Sequence, residues 1–153
     1  MKRPALLATL ALLVVASLSI TLLVARSRER QRQWPAEMSR RCQALVGSIV
    51  AFRDARGRYP EAISELVAER LLTEEELQAL SFQPSPGSDP EPWRYFPAAP
   101  AGILLASPGT VVPWPGHAGF HHVGFNDSSV QAMSPAKWLA LQREIAGELP
   151  PSR

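Results

Sequence analysis

The first apolar feature of the chain is an uninterrupted stretch near its amino terminus. No charged residue occurs between Pro4 and Ala25. As a helix, the segment from Ala5 to Ala25 would be about 31 Å long, close to the hydrocarbon thickness of a bilayer. The stretch therefore predicts one membrane-spanning helix, and we assign residues 1–32 to a membrane anchor with a basic juxtamembrane segment.

A cleaved signal peptide is the alternative interpretation of this stretch. Lys2 and Arg3 would form its basic beginning, and Val14-Val15-Ala16 offers a small-residue cleavage pattern. The apolar run nevertheless continues to Ala25, whereas a signal peptide usually loses its apolar character where it is cut. We therefore prefer an anchor that is retained.

Beyond Pro35 the apolar positions follow a helical period. Spacings of four, three, four and three residues place five side chains on one stripe, namely Met38, Cys42, Leu45, Ile49 and Phe52. We expect a long amphipathic helix that begins at Pro35, a residue that favours the first turn, and is capped by Gly57. Cys42 is interpreted as a small buried hydrophobe.

Two short helices are predicted next. After a turn at residues 59–60, Ile63 and Leu66 begin a small apolar face. The Thr-Glu-Glu-Glu segment at residues 73–76 has the spacing of a capping box and predicts a helix to Leu80. Its acidic run is interpreted as a solvated helix start and not as a pair of catalytic carboxylates.

The carboxyl-terminal half predicts a small antiparallel β-meander. Nine prolines lie between Pro84 and Pro115, so the strands there must be short. Four strand segments are predicted, at residues 93–96, 103–106, 120–125 and 129–133. An Asn-Asp-Ser-Ser turn joins the last two.

A final helix is predicted to follow Ser134 and Pro135, a cap and a first-turn proline. Its apolar face comprises Trp138, Leu141, Ile145 and Leu149. Helices followed by a meander indicate the α+β class, in one domain of residues 33–149. Residues 150–153 are expected to be a disordered tail.

Charge is unevenly distributed along the chain. Six basic and one acidic side chain precede residue 33, whereas ten basic and thirteen acidic side chains follow it. The larger part is mildly acidic, which argues against nucleic acid as a partner. The arginines after the apolar stretch are expected to contact lipid headgroups, and they are Arg26, Arg28, Arg30 and Arg32. By the positive-inside rule alone, they would place the carboxyl-terminal domain in the cytoplasm.

The three histidines, His117, His121 and His122, lie in one stretch with Asp127. Imidazoles and carboxylates are zinc ligands, so these four residues are candidate metal ligands. On a strand, however, His121 and His122 point to opposite faces and cannot share one ion. We prefer a structural role, in which a hydrogen bond from the His117 imidazole to the Asp127 carboxylate or to the backbone fixes the strand ends, and we expect no metal or other cofactor.

Three patterns in the sequence are typical of known proteins that are related to one another. The turn after the long helix reads Asp-x-x-Gly-x-Tyr-Pro, formed by Asp54, Gly57, Tyr59 and Pro60. At the first predicted strand, Asp-Pro precedes Trp and Tyr, with two extra residues before the tryptophan, and this pattern is formed by Asp89, Pro90, Trp93 and Tyr95. The histidine stretch has a His-x9-Asp register, formed by His117, Val123, Phe125, Asp127 and Val130, with Ser128 where the family has glycine. The first two patterns resemble those of the type II secretion pseudopilins, and the third resembles a carboxyl-terminal pattern of many pilin-like bacterial proteins. Together the resemblance covers residues 36–145.

The resemblance implies a structural or assembly protein of a bacterial secretion or pilus system, and not an enzyme. It implies a single-pass protein of the inner membrane, with a periplasmic carboxyl-terminal domain and protein partners in the envelope, and no small-molecule substrate. The prepilin cleavage motif is absent, because no acidic residue occurs between Met1 and Ala25. The protein is therefore expected to stay at the inner membrane and not to polymerise.

Two other functions remain open from the sequence. An anchored periplasmic module would bind a protein or peptide at a sheet edge or at the Pro-rich loop. A metal-dependent enzyme would use His117, His121 and His122. The sequence offers that enzyme no Gly-rich phosphate loop and no nucleophile with a matched base, and Ser107 is interpreted as an ordinary turn residue.

Overall fold

The computed structural model of the chain describes residues 3–98, 100–112 and 118–148, without the side chains of residues 3–11, 100 and 147–148. Its α-helices and β-strands, in chain order, are α1 (Arg3–Arg56), α2 (Glu65–Ala68), α3 (Glu74–Ala79), β1 (Arg94–Tyr95), β2 (Ile103–Ala106), β3 (His121–Phe125), β4 (Val130–Met133) and α4 (Pro135–Glu148). His117, Leu149 of the predicted last helix and the predicted tail of residues 150–153 lie outside the described residues.

Helix α1 is continuous through Pro35, which corrects the predicted helix start at that residue. A proline inside a helix removes one backbone hydrogen bond and normally favours a break. Contacts with distant residues hold both sides of this point. The indole Nε1 of Trp34 donates to the Gln83 carbonyl at 2.9 Å, and the Arg41 Nη1 donates to the Ser81 carbonyl at 3.2 Å. Tertiary contacts thus override the local preference.

Among the residues that the structure describes, no helix is long and apolar enough to span a membrane. The predicted span of residues 5–25 begins in the segment 5–11, whose side chains are not described.

The four strands form one antiparallel sheet in the order β1-β2-β3-β4, which confirms the α+β class and the meander. Strands β2 and β4 match the predicted segments within one residue at each end, and β1 is confined to two residues. The Asn-Asp-Ser-Ser turn joins β3 to β4 as predicted. The predicted stripe of α1 is buried, from Met38 to Phe52.

The sheet lies between two apolar clusters, one on each face. The cluster on the α1 face joins buried residues of α1, of α2, of β2 and of the connecting segments, namely Met38, Cys42, Leu45, Val46, Ile49, Phe52, Leu66, Phe82, Trp93, Leu104, Leu105 and Val111. The opposite, α4 face is covered by a smaller cluster, namely Ile103, Ala106, Val123, Trp138 and Ile145. The register shifts between Ile103 and Leu105, and this irregularity directs Leu104 and Leu105 to the same cluster.

Gly124 of β3 permits the close approach of α1 to the sheet. A Cβ atom at this position would lie 2.4 Å from Val46 Cγ2 and 3.1 Å from Cys42 Sγ. Both of these side chains are fully buried on the α1 stripe. Burial raises the pKa of the Cys42 thiol to about 12, so it remains protonated and acts as the small hydrophobe that the sequence predicts.

The predicted helix starts are confirmed in α3 and α4. The Thr73 side chain accepts from the Glu76 amide, and the Glu76 carboxylate accepts from the Thr73 amide at 2.7 Å, which completes the capping box. Ser134 Oγ accepts from the Lys137 amide at 3.4 Å, ahead of Pro135. The second predicted helix is reduced to the single turn of α2, which buries Leu66.

Candidate functional site

His121 and His122 lie on opposite faces of β3, as the alternation of a strand predicts. His122 is fully buried and faces α1, where its Nε2 lies 3.1 Å from the Pro35 carbonyl oxygen. His121 is partly exposed and faces α4, where its ring centroid lies 5.6 Å from that of Trp138. The two imidazoles therefore cannot share a ligand.

The hydrogen bond to Pro35 assigns the tautomer of His122. A carbonyl oxygen can only accept, so Nε2 carries the proton and Nδ1 is left as an acceptor. Nδ1 is buried and has no hydrogen-bond partner among the described residues. Burial lowers the pKa of His122, and the bond to Pro35 opposes this effect only in part. The side chain is therefore a neutral link between β3 and α1.

His121 belongs to a small network centred on Ser107. The Ser107 hydroxyl donates to the Gly109 carbonyl at 2.7 Å and accepts from the His122 amide at 3.2 Å. Because its proton is already engaged, the hydroxyl accepts from His121 Nδ1, which lies at 3.3 Å. His121 thus has the opposite tautomer from its neighbour. Burial lowers the pKa of His121 as well.

Ser107 is more than the ordinary turn residue that the sequence predicts. It is fully buried, and the donor and both acceptor positions of its hydroxyl are used. A hydroxyl in this state joins the end of β2 to β3 and is not disposed to attack a substrate. The local sequence held no signal for this role, because its two histidine partners lie 14 and 15 residues further along the chain.

A metal site is not assembled by the described residues. Within residues 3–98, 100–112 and 118–148, no group of three or more His, Cys, Asp or Glu side chains could hold an ion. The remaining candidate ligand, His117, lies outside those ranges.

Asp127 lies in the β3–β4 turn and is exposed, and its predicted partner His117 lies outside the described residues. Its carboxylate accepts from the Ser129 amide at 2.9 Å, and the hydrogen bonds from Ser129 lower its pKa. Ser128 has a positive φ of 66°, a conformation that favours glycine. The pattern that the sequence resembles has glycine at this position, and glycine adopts a positive φ without strain.

The turn that follows α1 is joined to the first strand by its own motif residues. Gly57 has a φ of 71°, and its amide donates to the Arg53 carbonyl at 2.7 Å, as a helix-capping glycine does. The Tyr59 hydroxyl accepts from Arg53 Nη1 at 3.1 Å. The Tyr95 hydroxyl donates to the Pro60 carbonyl at 2.6 Å, and burial raises the Tyr95 pKa to about 12.

Arg53 extends this junction to the hairpin. Its guanidinium also contacts the Asp54 carboxylate at 2.8 Å and the Asn126 carbonyl at 3.4 Å. The end of α1, the following turn and the β3–β4 turn therefore meet at one side chain. Asp54 and Tyr59 are near Arg53 in sequence, but Asn126 lies 73 residues away, and no local pattern predicts that contact.

Trp93, the remaining predicted motif residue, is nearly buried beside α3. Its Nε1 donates to the Leu80 carbonyl at 2.7 Å, and its ring meets Phe82 edge-on at a centroid distance of 5.4 Å. One side of the indole borders an open, mainly apolar groove of about 410 Å³ between α1 and α3, which Leu45 and Leu77 also line. This groove is a second candidate site.

The chain matches no protein-family model, no curated protein and no solved structure.

Proposed function

We propose that this protein is a pseudopilin-like structural or assembly protein of the bacterial envelope, held in the inner membrane by residues 5–25, the apolar half of α1. One observation carries the proposal. A single helix presents bare apolar residues in its first half and packs on a four-stranded antiparallel sheet in its second half. The patterns at the turn after α1 and at β1 support the same assignment.

The first half of α1 needs a cover that the described protein does not provide. Nine large apolar side chains here are 43% to 72% exposed, namely Leu12, Leu13, Val14, Val15, Leu18, Ile20, Leu22, Leu23 and Val24. They occur at consecutive as well as alternating positions, so they surround the helix and do not form one stripe. An apolar surface of this kind fits a bilayer, in which every side of a helix meets hydrocarbon.

Membrane extraction tests the anchor. The protein should have about its full length and stay with the membrane after a carbonate wash, whereas a fragment that begins at Ser17 in the aqueous fraction would reject the proposal. Leu18→Arg should weaken retention, because an arginine at the centre of a span is unfavourable by about 2.5 to 3.5 kcal/mol. Arg28→Gln, outside the apolar half, is the matched control and should be retained.

Orientation is a separate part of the proposal. We propose a periplasmic carboxyl-terminal domain on the strength of the pseudopilin resemblance, against the arginines that follow the apolar half. Paired reporters fused after Arg153 distinguish the two sides. Activity of a reporter that works only in the cytoplasm would reverse the orientation and leave the anchor intact.

The groove beside Trp93 favours a second candidate function, the binding of a peptide or protein segment. Its lining joins apolar surface to a few polar groups, among them Gln78 and Ser81. A photo-crosslinker at Gln78 should then yield a defined adduct in cells, and one at Glu144, on the exposed side of α4, should not. Equal labelling at both positions would count against this function.

A further inference from the structure

A second cavity lies next to the apolar half of α1, between the helix and the loop before β1. It has a volume of about 500 Å³ and is open to solvent. Its lining includes Leu23, Arg26 and Arg30 from α1 and residues 85–87 from the loop. The cavity thus combines two positive charges with an apolar edge at the point where the exposed apolar surface ends.

Hydrogen bonds hold the loop in this position. Phe82 and Glu91 close its base with two backbone hydrogen bonds of 2.9 and 2.7 Å. The Ser88 hydroxyl donates to the Ser85 carbonyl at 2.8 Å and so closes the tip. Trp34 then fastens the loop to α1 through the Gln83 carbonyl at 2.9 Å. One wall of the cavity is therefore defined by its own hydrogen bonds, before any ligand binds.

The two arginines have no competing partner in the described part of the chain. Neither Arg26 nor Arg30 forms a hydrogen bond or an ion pair within residues 3–98, 100–112 and 118–148. The nearby carboxylate of Glu29 accepts from Gln33 at 2.8 Å and does not line the cavity. Four residues apart on a helix, the two guanidinium groups lie on one face and are free to receive an anion.

We propose that this cavity binds the headgroup phosphate of an anionic phospholipid. The proposal rests on the membrane anchor proposed above and names the lipid class that the anchor would meet. Guanidinium groups pair well with phosphate oxygens, and Leu23 offers apolar contact to the glycerol and acyl region on the bilayer side. The built site distinguishes Arg26 and Arg30 from Arg28, which belongs to the same basic segment but does not line the cavity.

Native mass spectrometry of the full chain in dodecyl maltoside tests the proposal. Phosphatidylglycerol should form a one-to-one adduct that survives detergent removal, and phosphatidylcholine at equal concentration should not. Arg30→Gln should weaken the phosphatidylglycerol adduct by about fivefold, or about 1 kcal/mol for one arginine near a lipid surface. Arg28→Gln carries the same loss of charge and should leave the adduct unchanged.

Three results would overturn the site. An equal loss in Arg28→Gln and Arg30→Gln would show only a diffuse attraction between the basic segment and lipid. Equal adducts with both lipids would remove the requirement for an anion. Inorganic phosphate that binds with the same dependence on Arg30, while phosphatidylglycerol does not bind, would make it a site for free phosphate. Carbonate extraction tests the anchor separately, because it depends on the apolar half and not on Arg30.

Discussion

The two faces of the sheet are built from the same strands but differ in how deeply their side chains are buried. On the α1 face, Gly124 lets the long helix approach so closely that Cys42, Val46 and His122 are all fully buried. On the α4 face, a shorter helix covers a smaller cluster, and His121 keeps partial contact with solvent. Two adjacent histidines thus have different surroundings because the pleat sends them to different helices.

Truncation of one isoleucine on each face gives the largest expected contrast. Ile49→Ala should lower the free energy of unfolding by about 2 to 5 kcal/mol, since the side chain is fully buried in the larger cluster. Ile145→Ala should lower the free energy of unfolding by about 2 kcal/mol or less, because the cluster around this side chain is smaller and can relax. Denaturant unfolding of the full chain in neutral detergent measures both. Equal losses would show that the faces are equally packed.

The close approach of α1 is tested by adding a methyl group. Gly124→Ala should lower the free energy of unfolding by about 1 to 3 kcal/mol, because the new Cβ meets Val46 and Cys42. Gly47→Ala is the matched control, since Gly47 lies inside α1 with nothing within 4 Å of the added atom. There the same change should stabilise the protein by about 0.5 to 1 kcal/mol. An unchanged free energy of unfolding in Gly124→Ala would mean that α1 does not pack this closely on β3.

The histidines give the two faces different sensitivity to acid. Burial lowers the pKa of both side chains from the ordinary value of 6.5. The unfolded chain therefore takes up protons first, and stability that is present above pH 6.5 is lost as the pH falls toward the folded pKa values. His122→Gln should flatten this dependence more than His121→Gln, because His122 is the more deeply buried. Melting temperatures between pH 7.5 and 5 check this, and equal flattening would contradict it.

The turn between β3 and β4 lies on neither face and provides the smallest effect. Ser128→Gly should raise the free energy of unfolding by about 0.5 to 1 kcal/mol, because it relieves a positive φ in a residue with a side chain. Ser129→Gly is the control and should give no gain, since Ser129 is not among the residues with positive φ. A loss of stability in both variants would contradict the positive φ at Ser128.

The features predicted correctly from the sequence are those that depend on local periodicity. The stripe from Met38 to Phe52, the capping box at Thr73 and the short strands follow from spacings within a few residues. The start of the long helix was wrong, because Pro35 is held in α1 by residues far along the chain. Its carbonyl meets His122 across 87 positions, a distance over which no local pattern carries information.

The positions of the candidate sites were less predictable for the same reason. The motif residues Tyr59, Pro60 and Tyr95 were identified, but the hydrogen bond that joins the turn to the strand was not. The arginines after the apolar stretch were identified as a group. Only the fold separates Arg26 and Arg30 from Arg28, because it places a loop against one side of the helix.

Because α1 is continuous, it also sets the rotation of the sheet about the axis of the apolar half of the helix. Each helical residue advances the chain by about 1.5 Å and turns it by about 100°. One residue inserted after Arg30 would therefore swing the sheet by about 100° around the axis of the apolar half. Seven inserted residues would restore its heading to within about 20° while carrying it about 10 Å further along the axis. One uninterrupted helix thus fixes both the distance of the sheet along the helix axis and its rotation about that axis.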